Sequence, residues 1–526
     1  MPTSSKPAPT SLSLLLVGLL LLLAAVACTR SGDNVLYITA TPVLDANGNP
    51  ILPPTITPDE GTLTLIQPTP NPVHGNVVPE SGLYTVQAGD TLSIIAAQYG
   101  MTADELLAAN ELENPNVLEV GQQLNIPGGT EIYSPDNKLI PDSELVYGPA
   151  ASSFSVAATV KYRQGFLKAY SEEVDGTLYS GVELVDMIAQ WYSVNPRLLL
   201  ALLEYRGNWL SNPYPTEEQL RYPMGIVKTG REGLYRQLWD AADALNTGYY
   251  GWKYRGLTML AFTGGLRVLY APGLNPGTVG VQYMLSLQNT AEQWQQDVHP
   301  NGFFAAYTAL FGDPFALAVE PITPLNLTQP TLTLPFASGE EWVYTGGPHG
   351  AYNSGSAWGA VDFAPPKPSD ELLTAQGSCY ISPNWVTAAA PGIVARSGNG
   401  WVILDLDGDG NEHTGWTLIY LHIDDHERIA AGTKVEAGTQ LGHPSCQGGV
   451  STGTHLHFTR RYNGEWIPTA CEQCAPYASV PSFVLGEWTF YGFTNNEYQG
   501  YMTRAGDDNY RQADASRDYQ QNKVIW

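Results

Sequence analysis

Residues 449–458 read Gly-Val-Ser-Thr-Gly-Thr-His-Leu-His-Phe. The run from Thr454 to Phe458 has the composition of a strand, in which positions i and i+2 face the same side. His455 and His457 therefore share one face, while Leu456 and Phe458 turn toward an apolar layer opposite. One such pair is weak evidence, because a histidine satisfied by a backbone carbonyl is the commoner case. Its surroundings strengthen it: seven of the nine histidines of the 526-residue chain fall between His349 and His457. The same third of the chain holds short apolar runs, among them Trp401-Val402-Ile403-Leu404 and Thr417-Leu418-Ile419-Tyr420-Leu421, separated by glycine-rich turns. These predict an all-β C-terminal domain over 339–526, an antiparallel sheet core with β-hairpins and a C-terminal extension.

Further pieces join the histidine pair. "GGPHGAYNSGSAWGAVDFAPP" (346–366) supplies His349 and Asp362, and "IYLHI" supplies His422 at the end of an apolar strand. With "APGIV" (390–394), "VEAGTQLGH" (435–443) and "STGTHLHF", this part of the chain resembles the LytM or lysostaphin-type zinc endopeptidases. The resemblance implies one Zn2+ per chain held by His349, Asp362 and His457, with His422 and His455 in the two catalytic positions that do not bind metal. Two imidazoles and a carboxylate leave a tetrahedral zinc ion one open position. Most of that family carries a histidine four residues before the aspartate, where Trp358 stands here. On that spacing the domain is a non-catalytic peptidoglycan-binding scaffold or activator. The beta-lytic branch instead separates the two by thirteen residues behind a Gly-Gly-x-His start, which Gly346-Gly347-Pro348-His349 and Asp362 match. The second spacing is adopted here.

The Asp405-Leu406-Asp407-Gly408-Asp409-Gly410-Asn411-Glu412 run invites a calcium reading, but the twelfth position, where an EF-hand loop needs Glu, is Trp416. A polar hairpin turn is expected instead. His413, His426 and His443 have no motif partner and are expected in turns or at the surface.

Five cysteines occur, Cys28 near the start and Cys379, Cys446, Cys471 and Cys474 in the last third. In an exported protein the four late ones form an even set for disulfides, with three possible pairings. Cys379–Cys446 with Cys471–Cys474 is favoured, and the placement of Cys379 and Cys446 also resembles that of the beta-lytic branch. No second CxxC completes a zinc site with Cys471 and Cys474.

Upstream, 145–320 reads as a mostly α-helical middle domain, with helices expected over 156–170, 182–192, 196–203, 233–244 and 281–295. In Pro196-Arg197-Leu198-Leu199-Leu200-Ala201-Leu202-Leu203-Glu204 a carboxylate ends a buried apolar helix, a setting that suits a general acid for glycoside cleavage. The segment weakly resembles the catalytic-glutamate helix of lysozyme-like transglycosylases, which would make the protein bifunctional with Glu204 as a second catalytic residue. A structural Glu204–Arg206 pair is the alternative. Proline at 321, 324, 330 and 335 marks a linker over 321–338.

Residues 82–128 form a compact β-α-α-β unit. "YTVQAGDTLSIIAAQYGMTADELLAAN" and "LEVGQQLNIP" resemble a LysM module almost end to end. That implies binding of N-acetylglucosamine-containing glycan, chiefly peptidoglycan, in a groove of Gly89, Asp90, Thr91, Leu92, Asn116, Val117 and Leu118. Residues 29–81 are rich in Pro and Thr and read as an extended tether. Before them, Lys6 precedes an apolar run that ends Ala25-Val26-Ala27-Cys28, a secretory pattern over 1–28. It resembles a lipoprotein lipobox, with Cys28 lipidated and the chain anchored to the membrane of a bacterial envelope, outside the cytoplasm. A formal charge of −26, from 25 basic and 51 acidic residues, leaves no clustered cations for a nucleic-acid partner.

Overall fold

The computed structural model describes residues 82–86, 90–98, 103–110, 112, 118–126, 130–262, 266–469, 480–493, 496–506, 510–516 and 520–526. Cys28, the tether, Cys471, Cys474 and the LysM groove positions Gly89, Asn116 and Val117 lie outside the described residues.

The first unit pairs β1 (Gly82–Thr85) with β2 (Gln123–Ile126) antiparallel, and α1 (Leu92–Gln98) and α2 (Ala103–Ala109) lie between them in sequence. Apolar residues at strand and helix periods, Val86, Leu92, Ile95, Leu106, Leu124 and Ile126, close a small core of their own.

The middle domain contains α3 (Val156–Lys161), α4 (Gly181–Tyr192), α5 (Pro196–Gly207), α6 (Leu234–Tyr254), α7 (Pro276–Ser286), α8 (Ala291–Asp297) and α9 (Phe303–Phe311). Three expected helices differ, and the one expected over 233–244 runs on to Tyr254. The one expected over 156–170 stops at Lys161, because Gly165 meets the 209–210 backbone; a Cβ there would sit 2.1 Å from the Trp209 carbonyl oxygen. The one expected over 281–295 begins at Pro276 and breaks after Ser286. Thr290 then starts α8 through a capping box with Gln293. A three-stranded sheet (Thr130–Tyr133, Leu266–Leu269, Met259–Phe262) and one hairpin add β structure that the helical periodicity did not foreshadow.

The C-terminal domain is built on an antiparallel sheet. Its strands are β3 (Trp342–Gly350), β4 (Trp358–Ala364), β5 (Gly392–Gly398), β6 (Trp401–Asp405), β7 (Trp416–Leu421), β8 (Lys434–Val435), β9 (Leu456–Tyr462), β10 (Glu465–Trp466) and β13 (Lys523–Val524). Between β10 and β13 in sequence, β11 (Trp488–Phe493) and β12 (Asn496–Arg504) form a hairpin in a second sheet. Spatial order across the main sheet is β8-β5-β6-β7-β9-β4-β3-β13, with β10 beside β9.

The two-residue period sorts this sheet into two faces. Val361, Phe363, Val402, Leu404, Leu418, Tyr420, Leu456 and Phe458 point into one core, which Phe483 and Phe490 complete. Leu332, Leu334 and Phe336 also insert there, so 321–338, expected as a linker, runs over the sheet with alternate apolar side chains buried. Trp401, Ile403, Ile419, Leu421 and Trp466 point the other way, into the core of the helical domain. Polar ties reinforce that junction. Lys253 of α6 pairs with Glu465, the Tyr250 hydroxyl accepts from the Trp466 amide at 3.0 Å, and the Ser193 hydroxyl donates to the Gly464 carbonyl at 2.7 Å.

Candidate metal centre

Register brings the site together. His457 of β9 pairs with Asp362 of β4 on one side and Leu421 of β7 on the other, and Leu421 pairs with Trp401 of β6. One row of side chains thus runs Asp362, His457, Leu421, Trp401 along the sheet face that the helical domain covers. His349 reaches the row from the irregular end of β3, where the pairing with β4 shifts register between Gly346 and His349 and again before Gly350. Glycine at 347 fits that passage, since a Cβ there would lie 2.8 Å from the Ala360 carbonyl oxygen at a φ of 128°.

His349, Asp362 and His457 are 4%, 8% and 6% exposed, and one donor atom of each lies within 4.8 Å of the others. Asp362 Oδ1 stands 3.0 Å from His349 Nε2, 3.3 Å from His457 Nδ1 and 3.8 Å from His455 Nε2. Neither His349 Nε2 nor Asp362 Oδ1 has a hydrogen-bond partner of proper alignment, an expensive state for buried polar atoms. The other nitrogen of His457, Nε2, donates to the Ala351 carbonyl at 2.9 Å, which leaves Nδ1 with its lone pair toward Asp362. Two imidazole nitrogens and a carboxylate oxygen, buried and partly orphaned, form a donor set that suits zinc. Burial opposes ionisation of Asp362, but His349 and His455 beside it prevail and hold the carboxyl well below its usual range.

The two remaining histidines stand next to this set. His455 gives its Nδ1 hydrogen to the Gly453 carbonyl at 2.7 Å and turns Nε2 toward Asp362. His422 gives its Nδ1 hydrogen to the Gln447 carbonyl at 2.9 Å, so Nε2 is its available nitrogen. Their ring centroids are 4.5 Å apart. Burial, with His455 and His457 adding to it, pushes the His422 imidazole down to about 3, so it is neutral at ordinary pH. His422 also holds a left-handed φ of 70°, uncommon for a residue with a side chain.

A cavity of about 340 Å3 opens over these groups. Its walls include Tyr352 and Asn353 from the β3–β4 loop, 449–452, Tyr498 from β12 and Trp239 from α6 of the helical domain. Tyr498 and Trp239 were invisible to motif reading. Neither sits in a recognisable pattern, and both arrive from elements distant in sequence. Trp358, at the position where most of the family has a ligand, packs under Arg255 outside this set.

Other expected residues also have definite places. Cys379 and Cys446 form a disulfide with Cα atoms 5.4 Å apart. Asp405 takes the amide hydrogens of Asp407, Gly408 and Gly410, which makes the acidic run a tight turn between β6 and β7. His413 stands in a turn, as expected, but is buried, and His443, expected in a turn or at the surface, is buried as well. His413 stacks on Tyr147, and His443 bonds the Asn384 carbonyl and the Glu427 carboxylate. Glu204 accepts hydrogen bonds from the Leu210 amide at 2.8 Å, the Ser211 amide at 3.2 Å and the Ser211 hydroxyl, so both its oxygens hold the turn after α5. Arg206 pairs with Asp297 at 2.9 Å and not with Glu204, because α8 brings that carboxylate alongside. In the first unit Asp90 accepts from the Tyr84 hydroxyl at 2.7 Å, Thr91 is exposed, Leu92 is buried and Leu118 packs against the core.

Comparison with known proteins matches three parts of the chain. Residues 84–127 match the LysM domain, 138–325 the N-terminal domain of LasA, and 379–468 peptidase family M23. The last match includes His422, His455 and His457, whereas His349 and Asp362 precede it. Protease LasA of Pseudomonas aeruginosa is 27% identical over 359 residues, covering 64% of this chain and 76% of LasA. Beta-lytic metalloendopeptidase of Achromobacter lyticus is 28% identical over 146 residues, 26% of this chain and 34% of that protein. Among solved structures, the M23 metalloprotease pseudoalterin from the deep sea is 24% identical, covering 35% of this chain and 96% of its own, with a TM-score of 0.27. The chain thus joins a LysM domain, a LasA N-terminal domain and an M23 peptidase domain in a LysM plus LytM-type peptidase architecture.

Proposed function

We propose that this protein is a zinc endopeptidase that cleaves peptide bonds of peptidoglycan, with its LysM domain holding the glycan and a lipidated Cys28 tethering it to the membrane. The observation that carries the reading is the convergence of His349 Nε2, Asp362 Oδ1 and His457 Nδ1 within 4.8 Å in a buried site. His349, Asp362 and His457 would hold the ion, and a zinc ion there supplies Lewis acidity toward a carbonyl and toward water. His455 Nε2, hydrogen-free because Nδ1 is committed to Gly453, is placed to take a proton. His422, neutral and with its one ring hydrogen given to the Gln447 carbonyl, presents a bare Nε2 that can accept a hydrogen bond and so orient a reacting group. A peptide substrate would enter the cavity that Trp239, 449–452 and the histidines line together. Support for a cell-wall substrate comes from the LysM match and from the N-acetylmuramoyl-L-alanine amidase XlyA of Bacillus subtilis, 29% identical over 121 residues.

The test compares the wild-type chain with His457→Ala for bound zinc and for clearing of purified cell-wall suspensions. One zinc per wild-type chain and clearing that the substitution abolishes are expected. Equal clearing by both proteins would remove the mechanism.

A further inference from the structure

The β3–β4 loop, 351–357, holds the carbonyl that orients His457, and the helical domain grips this loop. Ala351 accepts from His457 Nε2, and its own amide donates to the Ala357 carbonyl at 2.9 Å, which closes the loop into a ring. At the C-terminal end of α6, the guanidinium of its cap residue Arg255 donates to three successive backbone carbonyls, Ser354 at 3.1 Å, Gly355 at 3.1 Å and Ser356 at 2.8 Å. Asp243, three turns earlier on the same helix, accepts from the Gly355 amide at 3.2 Å. From α4, the Tyr192 hydroxyl accepts from the Asn353 amide side chain at 3.2 Å. Contact is close: a Cβ at Gly355 would lie 2.4 Å from the Asp243 carbonyl oxygen, so glycine alone fits there. Asn353 adopts a left-handed φ of 61°, a conformation that its surroundings must hold. Tyr352 is wedged between the Tyr192 and Trp239 rings at centroid distances of 4.9 and 5.7 Å.

We infer that Arg255 is a positioning residue of the metal centre: by fixing 354–356 it holds the Ala351 carbonyl in place, and through it the tautomer and orientation of His457. The helical domain is then a working part of the site. Residues behind metal ligands are worth about 10–100-fold in metal affinity. A rigid fork on three carbonyls has no substitute among other side chains, since lysine supplies a single ammonium centre. This inference rests on the metal reading of His457, and its test separates the two.

The experiment uses the full chain as wild type, Arg255→Gln, Arg255→Lys, Tyr192→Phe and, as a control, Tyr250→Phe, which removes a hydrogen bond at the same domain junction without touching the loop. Zinc affinity is measured by chelator competition. Separately, the His457 Nε2 hydrogen is followed by NMR of 15N-histidine protein without metal. Arg255→Gln should lower zinc affinity about tenfold and broaden or lose the Nε2 hydrogen signal. Arg255→Lys should recover part of both, Tyr192→Phe should shift both less, and Tyr250→Phe neither. Unchanged values in Arg255→Gln, or an equal shift in Tyr250→Phe, would overturn the inference. Should Arg255→Gln not fold, an unaltered His457 signal in Tyr192→Phe would overturn it too. A wild-type chain that takes up no zinc would sink the metal reading alone, and the His457 signal would still decide the clamp.

Discussion

The phenol ring of Tyr498 lies 4.3 Å from the imidazole of His349, centroid to centroid, with the planes 13° apart. It arrives on β12, more than a hundred residues after its partner, and covers one face of a histidine of the proposed metal set. A stacked ring limits imidazole rotation and excludes water from that side. Tyr498→Ala should therefore weaken zinc binding several-fold, while Tyr498→Phe, which keeps the stack, should bind zinc like wild type. Chelator competition on the three proteins distinguishes them, and equal loss in Phe and Ala variants would assign the effect to the hydroxyl instead.

Trp239 is the contribution of α6 to the cavity wall. A large amphipathic ring at a cleft mouth contributes contact area to an extended substrate. Trp239→Ala is expected to raise KM for soluble cross-linked muropeptides several-fold with kcat and zinc content unchanged. A fall in kcat at constant KM would place the ring's effect on the reacting groups, and a rise in activity would mean that it obstructs the cleft.

How much of this was legible without coordinates follows from which interactions are local. The i, i+2 spacing of His455 and His457 places both side chains on one face of any strand, so that pair could be read directly. Asp362 and His349 could be read only through the spacing of the beta-lytic branch, because their meeting depends on β3–β4 register. That the row of Asp362 and His457 continues through Leu421 to Trp401, and so faces the helices, is a property of four-strand pairing, and nothing local encodes it. The same holds for Ala351, whose part is played by its carbonyl and not its side chain. Helix limits failed where a backbone contact intervened, at Gly165 against Trp209. The surroundings of Glu204 were hidden for a similar reason: the donors that occupy it, Leu210 and Ser211, lie in a turn whose path the helical pattern does not specify.

The Cys379–Cys446 bond closes 67 residues of chain that include β5 to β8. It also adjoins the site, since Thr454, immediately before the histidine pair, donates its amide to the Ser378 carbonyl at 2.8 Å. In the chain-entropy account a loop of this length contributes about 4 kcal/mol. The double variant Cys379→Ser/Cys446→Ser should unfold at markedly lower denaturant concentration and lose wall clearing faster than it loses secondary structure on heating. Unaltered stability would show that 377–379 is held by other contacts.

His413 makes the last prediction, one of pH. Its ring is buried against Tyr147 at a centroid distance of 3.8 Å and its Nδ1 donates to the Tyr147 carbonyl at 3.0 Å. Burial, helped by Arg461 and Arg396 and opposed by Glu412, pushes the imidazole down to about 4. Above the unfolded value, about 6.5, neither state is protonated and His413 has no pH effect. As pH falls from there toward 4, the unfolded chain gains a proton that the folded one refuses, so stability drops, and below the folded value the loss levels off. The full loss amounts to roughly 3 kcal/mol. Asp243, which burial pushes up to about 6, acts in the opposite sense: its ionised form is disfavoured in the fold, so stability falls as pH rises between its unfolded value and 6. A plain pH scan would therefore show only the sum. The difference between wild type and His413→Gln isolates the histidine, because Asp243 is common to both. Urea unfolding at pH 7, 6, 5 and 4.5 should show the wild-type advantage shrinking steadily with acidification, and a constant difference across that range would mean that His413 takes up its proton equally in the folded and unfolded chain.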